Sequence, residues 1–253
     1  MIGPVATIQT LRGGIESLHD ASGGLSTDGG FYFPANGSDF ATLGVTAPNN
    51  LWLCQEASGS LADTLGGKSL STGGTGQLYQ QAVAGFSRKG VALADGNTGH
   101  WFNTTVDNAA TTSSLIALVV NLPSTPASAE RVIVNSAGTT TKLRTILTNT
   151  PRLRVRSNAG LASGTVSPTG ATRLLLCQHD VTNSVQRTAS NQELVTPAFS
   201  AISGAVVAIG GYGATAPAMT CLWACAWYGA AAELSTAQLR TLYQTLSNAA
   251  VPW

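Results

Sequence analysis

The sequence predicts an all-β chain, an antiparallel sandwich or barrel with one C-terminal helix and an N-terminal arm. Three observations carry this. The 253 residues include 28 Gly and 10 Pro, a turn-rich composition. From Asn49 onward, short β-prone runs alternate with turn residues. Hydrophobic residues make up 43% of the chain and charged residues only 10%, against roughly 25% charged in an average globular chain. One large core is therefore available, and Ser, Thr, Asn, Gln and Gly must cover the surface.

Residues 1–47 read as an arm or docking segment, and residues 48–253 as the domain. In the arm, Ile8, Leu11, Ile15 and Leu18 recur at helical spacing, but Gly13-Gly14 interrupts them. Ala21 to Gly30 is a Gly/Ser-rich loop, and Phe31-Tyr32-Phe33-Pro34 is aromatic and has to pack on something. Ile8, Leu11, Phe31, Tyr32 and Phe33 are therefore the candidate assembly residues, docking on the domain or on a neighbour.

In the domain, strands are expected at residues 51–54, 91–94, 115–120, 131–134, 142–147, 152–156, 173–177, 205–209 and 220–228. Asp95-Gly96-Asn97 is a hairpin-type turn signal, and Asn149-Thr150-Pro151 a tight connection. The continuous apolar run 115–120 suits a strand buried on both faces. In 220–228, Cys221, Trp223, Cys225 and Trp227 alternate with Leu222, Ala224, Ala226 and Tyr228, so this strand is central and its indoles are core. A helix over about 236–247 is signed by Ser235 as N-cap, Gln238 completing a capping box, Leu234 stapling onto Leu239, and the stripe Leu239, Leu242, Tyr243, Leu246.

Four stretches resemble the laminin-G-like and concanavalin A-like lectin-glucanase domains. They are Trp52-Leu53-Cys54-Gln55-Glu56-Ala57-Ser58-Gly59 with Leu61 to Gly67; Leu174 to Asp180; Ala208-Ile209-Gly210-Gly211-Tyr212; and Leu222 to Tyr228 followed by Glu233 to Leu239 and Leu242-Tyr243. Their order resembles that family over roughly residues 50–248. The resemblance implies a jelly-roll sandwich, a scaffold that mainly binds and packs, members that act on polysaccharides, and calcium as an accessory ion. Asp95, Asn97 and Asp107 are the nearest oxygen-bearing group for calcium, but they are sparse, and no other cofactor is implied.

With 13 basic and 12 acidic residues, the net charge of +1 supplies no field for nucleic acid or an anionic membrane. No apolar run reaches the ~18 residues of a membrane span, and the first twenty residues lack a secretory signal, so synthesis in the cytoplasm is expected. Cys54, Cys177, Cys221 and Cys225 show no ligand-like spacing with His19, His100 and His179 and read as buried free thiols. Jelly-roll glucanases carry both carboxylates on one strand, whereas no two of the twelve acidic residues here lie within three positions. No catalytic residue is assigned. His179-Asp180 reads as a strand end opening a turn.

A basic stripe is more specific. Arg152, Arg154 and Arg156 alternate with Leu153 and Val155, and Lys142 and Arg144 flank Leu143 on the expected partner strand. Five cations on one hairpin suit an acidic glycan, a phosphate-bearing lipopolysaccharide or an acidic neighbour, or simply a solvated face. Trp101 and Tyr212 are the candidate aromatic contacts for a sugar. The expectation from all of this is a non-enzymatic, lectin-like structural module. A phage virion component at the particle surface fits, a capsid decoration or a tail or fibre accessory, contacting neighbouring subunits as a homo-oligomer and possible surface glycans. The alternatives are a polysaccharide-active jelly-roll enzyme and a cell-surface adhesion module.

Overall fold

The structure is a computed structural model that describes residues 27–103, 112–127, 130–135, 144–156, 161–190, 193–196, 207–211 and 214–248. Strands are numbered in chain order. Seven of them form one antiparallel sheet in the spatial order β12 (Leu161–Ser163), β11 (Leu153–Arg156), β10 (Arg144–Leu147), β9 (Arg131–Asn135), β16 (Val207–Gly210), β7 (His100–Asn103) and β4 (Ser71–Gly73). A second sheet of eight runs β15 (Glu193–Val195), β14 (Val185–Ser190), β13 (Ala171–Asp180), β8 (Ser114–Leu122), β17 (Met219–Tyr228), β6 (Lys89–Leu93) and β5 (Leu78–Ala82), with β3 (Asn50–Trp52) also paired to β17. The non-consecutive neighbours make this a crossed-over sandwich, as a jelly roll requires.

Two apolar cores follow from strand alternation. The inner core joins the sheets: Trp101, Ile133, Leu153, Val207 and Ile209 from the first meet Ile116, Leu118, Leu175, Ala224 and Ala226 from the second. The outer core lies on the far face of the eight-stranded sheet, where Leu115, Ala117, Leu174, Leu176, Trp223 and Trp227 are covered from outside. Strands β8, β13 and β17 are buried on both faces, which is why their sequences run apolar without alternation.

In β17 the alternation shifts phase. The register with β8 slips between Cys221 and Trp223, marking a bulge. Cys221 therefore faces the inner core, while Leu222, Trp223, Cys225 and Trp227 face the outer one. Placing Cys221 on the same face as Trp223 is thus corrected. The indoles of Trp223 and Trp227 are core, as expected, and Trp52 and Trp101 are buried as well.

The cover of the outer core has two parts. One is the helix α2 (Thr236–Ser247), with both hydrogen bonds of the Ser235/Gln238 capping box and Leu239, Leu242, Tyr243 and Leu246 buried. The other is the segment 27–47, which packs on its own chain. It holds the short pair β1 (Thr27–Asp28) and β2 (Phe31–Tyr32) and the helix α1 (Gly37–Thr42), capped by Asn36. Phe33 and Phe40 belong to the outer core, and Phe40 stacks on Trp223 while meeting Trp227 edge-on. Phe31 and Phe33 pack on Phe86, and the Arg88 guanidinium lies 4.1 Å above the Phe33 ring. Asp28 clamps the segment by accepting from the backbone N–H groups of Ser87 and Arg88 and from the Ser87 hydroxyl. Burial raises the Asp28 pKa, but these bonds and the Arg88 charge bring it below the usual carboxylate value.

Of the two placements expected for Phe31, Tyr32 and Phe33, the structure shows docking on their own domain, with Tyr32 and Phe33 buried and Phe31 partly buried, because the eight-stranded sheet offers them an apolar face. Ile8 and Leu11 lie outside the described residues. A second correction concerns Asp95-Gly96-Asn97. The residues do turn, with Gly96 at φ 73° and the Asn97 N–H donating to Ala94, but β6 and β7 lie in different sheets. The turn crosses the sandwich and does not close a hairpin.

Candidate functional site

The far face of the seven-stranded sheet is the candidate site. On β11, Leu153 and Val155 are buried, with Leu153 in the inner core, so Arg154 and Arg156 stand on the opposite face. On β7, Trp101 faces inward by the same rule, and its neighbours His100 and Phe102 face outward. Trp101 as a sugar contact is therefore corrected: it is fully buried, and its ring packs edge-on against Tyr79. The aromatic surface that sequence reasoning missed is the pair His100 and Phe102, whose rings lie 5.2 Å apart. The signal was present, since assigning Gly99 to Phe102 to a strand puts Trp101 and Phe102 on opposite faces.

Gly73 on the edge strand β4 seats this pair. A Cβ at Gly73 would overlap the His100 ring and come within 2.8 Å of the Phe102 ring, so only glycine lets both rings settle over the strand. The His100 Nδ1 lies 2.9 Å from the Thr98 carbonyl oxygen, which fixes the ring's tilt.

At the other end, Glu130 joins both parts of the site. Its carboxylate accepts from the Arg154 guanidinium and lies 3.9 Å from Arg156, while the same side chain lines an open cleft with Gly74, Thr98, His100, Gly211 and Thr215. The cleft holds about 620 Å3. Arg154 Nε also donates to the Ser163 hydroxyl at 2.9 Å on β12, so this guanidinium is held in place. From β11 to β7 there are four inter-strand intervals, roughly 19 Å at about 4.8 Å each. An imidazole–phenyl platform and an arginine pair thus flank one carboxylate along a sheet surface.

The basic hairpin forms as the sequence predicts: β10 and β11 pair with Arg144 opposite Arg156. Arg152 is exposed just before β11. Lys142 and Tyr212 lie outside the described residues, although Tyr212 directly follows the cleft residue Gly211. Asp95, considered for calcium, binds Arg131 and the Ala127 N–H through its two oxygens, and Asn97 Oδ1 accepts from Gly99. Among the described residues no cluster of three or more His, Cys, Asp or Glu side chains is placed to hold a metal. Asp180 accepts twice from Asn183, confirming a strand end that opens a turn.

A second cavity, of about 380 Å3, lies between Leu43–Thr46 and α2. Its lining, including Leu115, Trp227, Leu234 and Leu242, carries no charged side chain. The first cleft joins the His100 imidazole to the Glu130 carboxylate and, through it, to the arginines, which makes it the better binding site of these two.

No protein-family model and no curated protein sequence matches the chain. Solved structures do. Trypanosoma rangeli sialidase is similar at TM-score 0.60 and 11% identity, over 97% of this chain and 39% of the sialidase. The same enzyme in complex with sialic acid gives 0.58 and 10%, over 95% and 39%. A botulinum neurotoxin type C structure gives 0.54 and 13%, over 78% and 50%. The chain thus spans two fifths to half the length of these structures.

These likenesses correct the expectation of a non-enzymatic virion component. Sialidases are enzymes, and the structures named here offer nothing that points to a capsid or tail. A missing strand-borne carboxylate pair excludes only carboxylate nucleophiles, and sialidases use a tyrosine. At such low identity the likeness fixes the architecture. The chain has the fold of an antiparallel jelly-roll β-sandwich.

Proposed function

We propose that the chain is a glycan-binding domain of a carbohydrate-active protein, and that its glycan lies along the outer face of the seven-stranded sheet. The observation that carries this is one row on that face: the His100–Phe102 ring pair, the cleft that His100 and Glu130 line, and the Arg154–Arg156 pair beside Glu130. A phenyl ring stacks on the apolar face of a pyranose, and an arginine fork pairs with a carboxylate or sulfate on the sugar. Among the similar structures, the sialidase is seen with sialic acid, and the neurotoxin study concerns two ganglioside molecules. These support a glycan as the ligand and an acidic group on it. The finer laminin-G-like kinship of the domain belongs to this reading too.

Titration of the chain with acidic and neutral oligosaccharides tests it. Acidic glycans should bind, Phe102→Ala should weaken binding by at least tenfold, and neutral analogues should bind less tightly. Equal, unsaturable signals from every glycan, or binding indifferent to Phe102→Ala, would remove the reading.

A further inference from the structure

We propose that Cys54 and Cys221 form a disulfide under oxidising conditions, locking the β3 end of the eight-stranded sheet to its central strand. The two sulfurs lie 3.7 Å apart in the inner core. A disulfide needs about 2.05 Å between them, so each thiol has to move by less than about 1 Å. The arrangement follows from the chain. Trp52 pairs with Ala224, so two residues further along β3 the partner is the bulged stretch of β17. That bulge turns Cys221 onto the inner face, where Cys54 already lies, with its own φ at 57°. Without the bulge Cys221 would point to the outer core with Cys225.

The other two cysteines have different surroundings. Cys177 contacts the Thr145 hydroxyl at 3.1 Å, and Cys225 sits in the outer core. Near Cys54, the Arg88 guanidinium donates to the Leu53 carbonyl at 3.4 Å, but the hydrogen bond with Cys221 and burial push the Cys54 thiol well above its ordinary pKa against that charge, so the thiolate forms when the site opens to water. Access falls to Cys54. It follows a strand of three residues and precedes the exposed Gln55, whereas Cys221 lies in the central strand. Local opening at Cys54 costs less than opening β17.

The chemistry balances with a small disulfide such as oxidised glutathione as oxidant. The Cys54 thiol loses its proton, and its sulfur attacks one glutathione sulfur. The S–S bond of the oxidant breaks, and the departing glutathione thiolate takes up a proton. The Cys221 thiolate then attacks the Cys54 sulfur and releases the second glutathione, which is protonated in turn. Two protein thiols are oxidised and one glutathione disulfide is reduced to two thiols.

The test oxidises the native full chain with oxidised glutathione, denatures it in alkylating reagent and maps the peptides by mass spectrometry. The expected result is loss of two of the four alkylatable thiols, a single Cys54–Cys221 crosslinked peptide, and a higher Tm that dithiothreitol reverses. A Cys177→Ala/Cys225→Ala variant should retain the crosslink, and Cys221→Ala should lose both crosslink and Tm rise. Four alkylated thiols after oxidation, a stable glutathione adduct on Cys54, or a crosslink to another cysteine would each overturn the proposal. The wild-type peptide map decides the matter even where a variant fails to fold.

Discussion

The Trp223 indole donates a 2.9 Å hydrogen bond to the carbonyl of Pro34, 189 positions earlier in the chain. Trp227 does the same with Thr46 at 2.8 Å. Each buried indole N–H needs an acceptor, and the segment 27–47 supplies both while Phe40 fills the space between the rings. Phe40→Ala should therefore destabilise the fold by about 3–5 kcal/mol. Urea denaturation followed by tryptophan fluorescence measures this directly. A loss below about 1 kcal/mol would mean that the segment is a dispensable wrap.

The helix α2 should respond in two graded steps. Leu242→Ala removes a buried contact with the outer core and should cost about 2–5 kcal/mol. Ser235→Ala removes the cap and should cost about 1 kcal/mol, and Ser235→Asn should restore it. Thermal unfolding of the three variants separates packing from capping.

His179 sets a pH limit. Burial lowers its pKa from 6.5 to about 4, against the opposing pull of Asp180. The folded-state pKa is below the unfolded one, so between these values the unfolded chain binds more protons. Stability should thus be highest above pH 6.5 and fall as pH drops from 6.5 toward 4, before the carboxylates with lowered pKa values, Asp28 and Asp63, begin to protonate. His179→Gln should flatten the profile between pH 6.5 and 4.5. A wild-type Tm that is constant across that window would contradict the assignment.

The arginines should govern salt dependence. Replacing Arg152, Arg154 and Arg156 with Gln removes three charges while keeping polar side chains. Glycan binding should weaken and lose most of its sensitivity to salt, since exposed charge contacts are screened over about 8 Å at physiological ionic strength. Stability should change by no more than about 1 kcal/mol, because the ion pairs with Glu130 are partly exposed. Isothermal titration at two salt concentrations, beside thermal unfolding, reads both effects.

Gly73→Ala tests the platform. The added methyl would displace the rings of His100 and Phe102 while leaving the arginines alone. Glycan affinity should fall by at least threefold with its salt dependence unchanged. An affinity equal to wild type would place the sugar elsewhere.

By itself the sequence determined the elements whose side chains alternate or recur strongly. It marked α2 to the residue, because Ser235, Gln238 and the Leu239–Leu246 stripe are local signals. It marked β8, β17 and the β10–β11 hairpin, because apolar runs and alternating Arg and Leu report burial directly. It was silent on β14, whose inward residues Gln186 and Thr188 are polar, and on β5, an edge strand interrupted at Gln80 with φ 55°. It was silent too on the helix α1, which is only six residues long and carries no apolar stripe; its Asn36 cap emerged from the structure. Only the tertiary structure decided what covers the eight-stranded sheet, because an apolar segment such as Phe31–Phe33 fits equally well on its own chain or on another until the exposed partner face is known. The bulge in β17 likewise emerged only from strand pairing, and it alone sets which way Cys221 points. The meeting of Glu130 with His100 at one side and Arg154 at the other is set by sheet order, which places β9 between β10 and β16. Neighbourhood across a sheet depends on crossovers, and crossovers leave no local trace in the sequence.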